Sequence, residues 1–251
     1  MSVSHQAHPD TDAGGVTFAR YAFPPNELGY CGPDDARLLL SHASNGRDPR
    51  EVDERAPKFD GAWPYLEVIS RAAGIADPLD ARVVEAYWVG NDLLAAVRPA
   101  DFLAVLHERF VGQVGGFWDR VSPDQGPLAH HSFQVFAVYP WVGLLGGGSP
   151  VPLSVLDQCR IRWGRVVSLT GERAVVLSQP LTWQEGTLSL GAEREEQVRW
   201  AAGGDMLPSR LAVGDHVSLH WDWICDRLSA EQTAALRDCS ASQIDLANRY
   251  A

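Results

Sequence analysis

The chain has 251 residues, of which 45% are hydrophobic and 21% charged, a composition typical of a packed globular protein rather than a disordered one. Its 21 Lys and Arg residues against 32 Asp and Glu residues give a net charge of −11, which disfavours nucleic-acid binding. Residues 1–10 contain no apolar signal region, and the longest apolar stretch, residues 133–148, is shorter than a membrane span of about 20 residues. We therefore expect a cytoplasmic protein with reduced thiols and no membrane insertion.

The first part of the chain shows helical periodicity. The polar composition of residues 1–20 predicts a mobile tail, and residues 45–60 are predicted to form a polar loop. One helix is expected to break or bend at Gly90 and another to kink at Pro140, because neither residue continues a regular helix well. The predicted helices start near residues 33, 65, 80, 99 and 130.

The pattern changes at residues 146–150, Gly-Gly-Gly-Ser-Pro, which are the best candidate for a domain boundary. Beyond them the apolar period changes from about 3.6 to about 2, which indicates β-strands. In the clearest strand Val217 and Leu219 share one face, and Ser218 and His220 share the opposite, polar face. The predicted strands cover residues 160–169, 173–179, 187–190, 193–200 and 215–223.

The sequence therefore predicts an α+β protein. After the tail of residues 1–20, an all-helical domain covers residues 21–148, and a small β-barrel with a C-terminal helix covers residues 151–251. The final helix is predicted from Ser229 and Gln232, which have the spacing of a capping box.

Three motifs in the second part point to a known family. Cys159 precedes Gly-Arg-Val at residues 164–166, much as the family's first strand has Cys, three or four residues, then Pro-Gly-Arg/Lys-Val/Ile. Residues 213–220 match Val-Gly-Asp-x-Val-x-x-His, and an acidic helix start follows at Glu231. In order and spacing, residues 157–247 resemble the HypC/HupF family of nickel–iron hydrogenase assembly chaperones.

This resemblance implies an OB-like β-barrel with a C-terminal helix that carries an Fe(CN)2(CO) fragment as transient cargo. It also implies two partners, a HypD-like maturation protein and the hydrogenase large subunit. The family's essential cysteine corresponds to Cys159 and its histidine to His220. The chain departs from the family in three ways: Cys159 is internal rather than N-terminal, Trp163 replaces a Pro, and Asp222 replaces a Gly.

The residue types around these positions suit an iron ligand set. A soft thiolate from Cys159 and an imidazole from His220 suit a low-spin iron that carries cyanide and CO. Arg160 and Arg162 are expected to favour the thiolate form of Cys159 if they lie near it. Asp222 is expected to point the same way as His220 and to fix its tautomer through a hydrogen bond.

Other residues are further candidates. Cys31 lies in a Gly- and Pro-rich loop before a predicted helix, whose N-terminus is expected to lower the thiol pKa and make it reactive. Cys225 is either an additional ligand or a core residue, and Cys239 is expected to be a buried helix residue. His130 and His131 begin an apolar segment, but adjacent histidines on a helix point in different directions.

Three hypotheses remain open. The first is a non-enzymatic maturation chaperone that holds the iron fragment or the immature large subunit at an exposed site formed by Cys159 and His220, with the helical domain docking a partner. The second is an enzyme or redox protein with its site around Cys31, and with His130 or His131, the barrel serving as docking module. The third is a structural hydrogenase subunit without cargo.

Overall fold

A computed structural model gives the fold of the chain. The structure describes residues 13–46, 49–208 and 210–251. The first part of the predicted tail, residues 1–12, lies outside the described residues. The prediction is wrong for residues 13–20, which begin a first helix, α1, Ala13–Glu27. This helix is held in place because it buries large aromatic side chains, including Phe18 and Tyr21.

Helices occupy most of the first part of the chain and both ends of the second. The α-helices of the described residues are α1, α2 (Ala36–Asn45), α3 (Pro49–Arg55), α4 (Trp63–Ala73), α5 (Ala81–Trp88), α6 (Pro99–Arg109), α7 (His131–Phe133), α8 (Val151–Cys159) and α9 (Ala230–Ala247). The short 3-10 helices are Ala56–Lys58, Asp92–Ala96, Trp118–Arg120, Pro123–Gln125 and Val142–Gly147, and a π-helical turn covers Gln134–Val138. None of these helices is both long and apolar enough to span a membrane.

Most predicted helices are present, with changed boundaries. The predicted break at Gly90 is confirmed: α5 ends just before it, and Gly90 has a φ of 97°. The predicted loop over residues 45–60 is wrong in part, because α3 lies within it and buries Val52. The helix predicted from residue 130 is only a single turn, α7, followed by the π-helical turn, and regular helix ends before Pro140.

The second part of the chain is dominated by strands. They are β1 (Arg162–Thr170), β2 (Arg173–Ser178), β3 (Leu181–Gln184), β4 (Thr187–Leu190), β5 (Arg194–Arg199), β6 (Ala201–Ala202), β7 (Asp205–Met206), β8 (His216–His220) and β9 (Trp223–Arg227). Five of them form a closed barrel in the order β1-β2-β5-β9-β8, in which β1 also pairs with β8. The pairing of β5 with β9 is parallel, and the other pairings in the barrel are antiparallel.

Two boundaries in this part differ from the prediction in ways that matter for the site. Residues 215–223 are predicted as one strand, but they contain the whole of β8, a tight turn and the first residue of β9. Trp221 in this turn has a φ of 52°, the left-handed conformation that ends a strand. Cys159 was placed at the head of a strand but is the last residue of α8.

The described residues form two distinct hydrophobic cores. The smaller lies inside the barrel and consists of Val166, Ala174, Val176, Val198, Val217, Leu219 and Ile224. The larger joins the N-terminal helices to α8, to α9 and to residues on the outside of the barrel. The predicted capping box at the start of α9, formed by Ser229 and Gln232, is confirmed. The helices therefore cover an outer side of the barrel, and α1 lies against β8 and β9.

Candidate metal centre

Three buried side chains from distant parts of the chain converge where the helices meet the barrel. They are His131 at the start of α7, Cys159 at the end of α8 and His220 at the end of β8. One possible ligand atom from each lies within 4.8 Å of those of the other two. The structure therefore brings together the two residues that were expected to act as a pair, and it adds His131.

His220 is held in the form that binds metals. Its Nδ1 lies 2.7 Å from the backbone carbonyl of Tyr21 in α1. A carbonyl only accepts hydrogen bonds, so Nδ1 carries the proton and Nε2 keeps a lone pair. Nε2 is buried and has no hydrogen-bond partner among the described residues. Burial, with His131 as a second cause, lowers the pKa of His220 well below its usual value, so the imidazole stays neutral.

His131 makes two hydrogen bonds through its ring nitrogens. Its Nε2 donates to the carbonyl of Cys159 at 2.9 Å, and its Nδ1 lies 3.0 Å from the hydroxyl of Tyr87. The same hydroxyl lies 2.7 Å from the carbonyl of Gly61, and its single proton can serve only one of the two acceptors. With that proton on Gly61, Nδ1 is the unprotonated nitrogen of His131, and a metal that binds there replaces its contact with the Tyr87 hydroxyl. Burial lowers the pKa of His131 to about 4.

Cys159 is a buried thiol, not an activated thiolate. Burial raises its pKa, and the nearby Cys31 raises it further. The expected assistance from Arg160 and Arg162 is absent, because both guanidinium groups are engaged elsewhere. Arg160 pairs with Asp157 at 3.0 Å, and Arg162 pairs with Glu196 at 3.1 Å. Deprotonation of Cys159 at neutral pH therefore requires a bound cation such as a metal ion.

Arg162 nevertheless has a place in the architecture of the site. Its guanidinium, which is buried, donates to the backbone carbonyls of Asp157 at 3.0 Å and of Trp221 at 2.7 Å. The first of these lies in the last turn of α8, which ends at Cys159, and the second directly follows His220. Arg162 therefore ties together the two chain segments that carry these ligands.

Asp222 does not orient His220 as expected. Its carboxylate forms a double hydrogen bond with Arg199, at 2.8 Å for each contact, and Arg199 also binds Glu27 of α1 at 2.7 Å. The side chain points away because the strand ends at His220, so the alternation that predicted a shared direction does not extend to residue 222. The carbonyl of Tyr21 takes the expected role. His220 was also expected on a polar face, but α1 covers that face and buries it.

The three ligand candidates line a cavity of about 200 Å³. Its wall is largely aromatic, and no Asp, Glu, Lys or Arg is among the described residues that line it. The aromatic lining includes Tyr30, Phe59, Tyr87, Trp88, Trp141 and Trp221. An apolar wall of this kind limits the access of water and competing ligands to a bound metal.

Cys31 lines the same cavity, so the first and second hypotheses share one site. Its loop is held by the side-chain amide of Asn26, which donates to the carbonyls of Cys31 and Pro33, both at 2.7 Å. Gly32 has a φ of 82° and lies so close to Phe59 that a side chain would clash. Burial raises the pKa of Cys31 to about 12, the opposite of the expected lowering, because the thiol is in an apolar wall and α2 begins only at residue 36.

The remaining candidates lie outside this cluster. Cys225 is fully buried in β9 but is not part of the cavity wall, and Cys239 is half-buried in α9. His130 is the N-cap of α7, where its Nδ1 accepts a hydrogen bond from the backbone N–H of Ser132 at 3.1 Å. The two adjacent histidines therefore have different roles, but not for the predicted reason, because His130 has an extended backbone and lies outside the helix.

His131 had no distinctive sequence pattern beyond the His-His pair before an apolar segment. Its place in the site depends on the packing of α7 against the end of α8, which local periodicity does not reveal.

No curated protein and no solved structure is significantly similar to the chain. Residues 10–251 match a protein family described as "Family of unknown function (DUF6390)". The match includes the N-terminal helices, the barrel and α9, so all three ligand candidates lie within it. By this match over nearly its whole length, the chain belongs to the DUF6390 family.

Proposed function

We propose that the protein is a metallocentre-assembly chaperone that holds a single iron fragment through Cys159 and His220, with His131 as a third ligand. The observation that carries this proposal is the convergence of three buried ligand atoms within 4.8 Å, beside a cavity of about 200 Å³. The orphaned Nε2 of His220 adds to it, because a buried acceptor without a partner is costly unless something binds it.

The ligand chemistry suits a soft iron centre. One thiolate and two neutral imidazoles match the preference of low-spin iron that carries cyanide and CO. The cavity offers many times the space that one water molecule needs, so diatomic ligands fit beside the metal. The cargo that we propose is therefore the Fe(CN)2(CO) fragment, received from a HypD-like protein and delivered to the hydrogenase large subunit.

The five-stranded closed sheet supports the resemblance on which this cargo rests, since OB-type barrels have five strands. The helical region adds a cover that a bare barrel lacks. The sequence predicts an exposed coordination site, but α1 and α7 bury the ligands. In our proposal this cover protects the cargo from water and oxygen during transfer.

Infrared spectroscopy of protein purified anaerobically from its own host tests the proposal. We expect cyanide and CO stretching bands in the wild type, and their loss in Cys159→Ala. Cys225→Ala is the matched control, because Cys225 is an equally buried thiol outside the cavity, and its bands should persist. A silent wild-type spectrum, or bands that survive Cys159→Ala, would contradict the proposal.

A second candidate function is a redox protein in which Cys31 and Cys159 form a reversible pair. The observation that favours it is that both thiols line one cavity and that the charge of one raises the pKa of the other. Mild oxidation followed by peptide mass spectrometry tests it. A Cys31–Cys159 cross-link that reforms after reduction would support this function, and two free thiols after oxidation would exclude it.

A further inference from the structure

The wall of the cavity is uncharged as well as aromatic. No Asp, Glu, Lys or Arg is among the described residues that line it. In the metal-free protein the thiols of Cys31 and Cys159 are neutral, because burial raises their pKa values. The imidazoles of His131 and His220 are neutral as well, because burial lowers theirs. An organic ion that entered this cavity would therefore lose its hydration without gaining a partner of opposite charge.

The size of the cavity limits an organic occupant to one ring. Its volume is about 200 Å³, which is less than the roughly 300–1,000 Å³ of pockets for drug-sized ligands. An apolar protein cavity of about 150 Å³ binds benzene. The cavity of this protein therefore has room for a single six-membered ring with a small substituent.

The cavity opens to solvent beside Tyr30. This side chain lines the cavity and is nevertheless 59% exposed. Its ring stacks on that of Trp221, with ring centres 4.5 Å apart and an angle of 12° between the planes. The loop of Tyr30 is held by the side-chain amide of Asn26, so the entrance is formed before a ligand arrives. Aromatic rings in the wall offer faces and edges against which another flat ring packs well.

We infer that the cavity also binds a small uncharged molecule with one aromatic ring. Burial of the ring against the aromatic wall drives binding, and the lack of charged groups in the wall selects against organic ions of the same size. This inference goes beyond the proposed function, because it needs no metal and concerns the metal-free protein. A bound ring and an iron fragment with its own ligands would compete for the same space.

Isothermal calorimetry of the metal-free full chain with toluene tests this inference. We expect a dissociation constant below about 1 mM for toluene, and affinities weaker by about tenfold or more for benzoate and benzylamine, which each carry one charge. Val155→Phe should weaken toluene binding by about tenfold or more, because the larger side chain fills part of the cavity. Leu153→Phe is the matched control, because Leu153 lies on the same helix, α8, but does not line the cavity.

The outcomes decide the inference separately from the proposed metal site. No binding of toluene, equal toluene affinity in the wild type and Val155→Phe, or tighter binding of benzoate or benzylamine than of toluene would overturn it. If circular dichroism shows that Val155→Phe does not fold, methyl NMR of the wild type decides. Toluene should then shift the signals of Val155 and not those of Val176 in the barrel core, and equal shifts at both would overturn the inference. Failure of the metal site would show instead as cobalt binding that Cys159→Ala leaves unchanged.

Discussion

The interior of the barrel and the interface between barrel and helices differ sharply in chemistry. The seven residues of the barrel core are all apolar. Buried polar groups concentrate at the interface between barrel and helices. In this interface α1, α7 and the end of α8 pack against the outer side of β8 and the β8–β9 turn. The buried polar groups include His131, Arg162, Ser218 and His220.

The strand β8 contributes to both regions. Leu219 belongs to the barrel core, and the next residue, His220, belongs to the interface. The barrel interior therefore contributes stability, whereas the unpaired polar atoms that invite a ligand lie outside it. The metal site that we propose therefore lies between the two parts of the molecule rather than within either part.

The largest effect is expected from Arg162→Ala. Removing one partner of a buried ion pair costs about 3–5 kcal/mol of stability, and here it also frees the carbonyls of Asp157 and Trp221. Val176→Ala in the barrel core should cost about 2 kcal/mol. Urea unfolding and cobalt titration should show that only Arg162→Ala also weakens metal binding. Equal metal affinity in both variants would contradict the proposed positioning by Arg162.

Substitution of the ligands should weaken metal binding without comparable unfolding. If zinc binding of about 10–16 kcal/mol is shared among four ligands, the loss of one costs roughly 100- to 1000-fold in affinity. We expect this loss in Cys159→Ala and His220→Ala. The controls are Cys225→Ala and His216→Ala, since Cys225 lies outside the cavity and His216 is exposed on the same strand. Competition with a chromophoric chelator measures the metal affinity of each variant. An equal loss of affinity in the controls would refute the proposed metal site.

Acid should destabilise the metal-free protein because it protonates His131, which is buried at the interface between barrel and helices. Burial lowers the pKa of His131 from 6.5 to about 4, so the unfolded chain takes up its proton first. The stability that His131 contributes is complete above pH 6.5 and is lost as the pH falls towards 4, by about 3 kcal/mol. Urea unfolding between pH 7 and about pH 4.5 measures this slope. His131→Gln should reduce this slope without abolishing it, because burial also lowers the pKa of His130 and of His220. An unchanged slope would assign the effect to other groups.

The smallest effect is expected from Tyr21→Phe. It removes the hydrogen bond between the Tyr21 hydroxyl and Ser218 at 2.8 Å and should cost about 1 kcal/mol. Metal affinity should stay the same, because the backbone carbonyl of Tyr21, not its side chain, holds His220. Urea unfolding measures the loss of stability, and cobalt titration measures the metal affinity. Weaker metal binding in this variant would show that the hydroxyl also shapes the site.

The barrel was more predictable than the helical cover. Alternating side chains predicted β1 and β2 close to their observed bounds, because one face of each strand meets the apolar interior of the barrel. Helix α1 was missed because Gly14, Gly15, Pro24 and Pro25 are unfavourable in helices. Tertiary burial of its aromatic residues overrides that local preference.

The site was predictable only in part, for a similar reason. The motifs around Cys159 and His220 identified two residues that the structure brings together. His131 joins them through packing between segments that are distant in sequence. The carbonyl of Tyr21 is a backbone group, which no residue type reveals, and Asp222 was assigned by an alternation that ends with the strand.

X-ray absorption of the zinc-reconstituted protein tests the central claim most directly. The account predicts a first shell with sulfur at about 2.3 Å and imidazole nitrogen at about 2.0–2.1 Å, and loss of the sulfur in Cys159→Ala. A shell of oxygen alone, or a sulfur that remains in Cys159→Ala, would contradict the claim that His131, Cys159 and His220 form a metal centre.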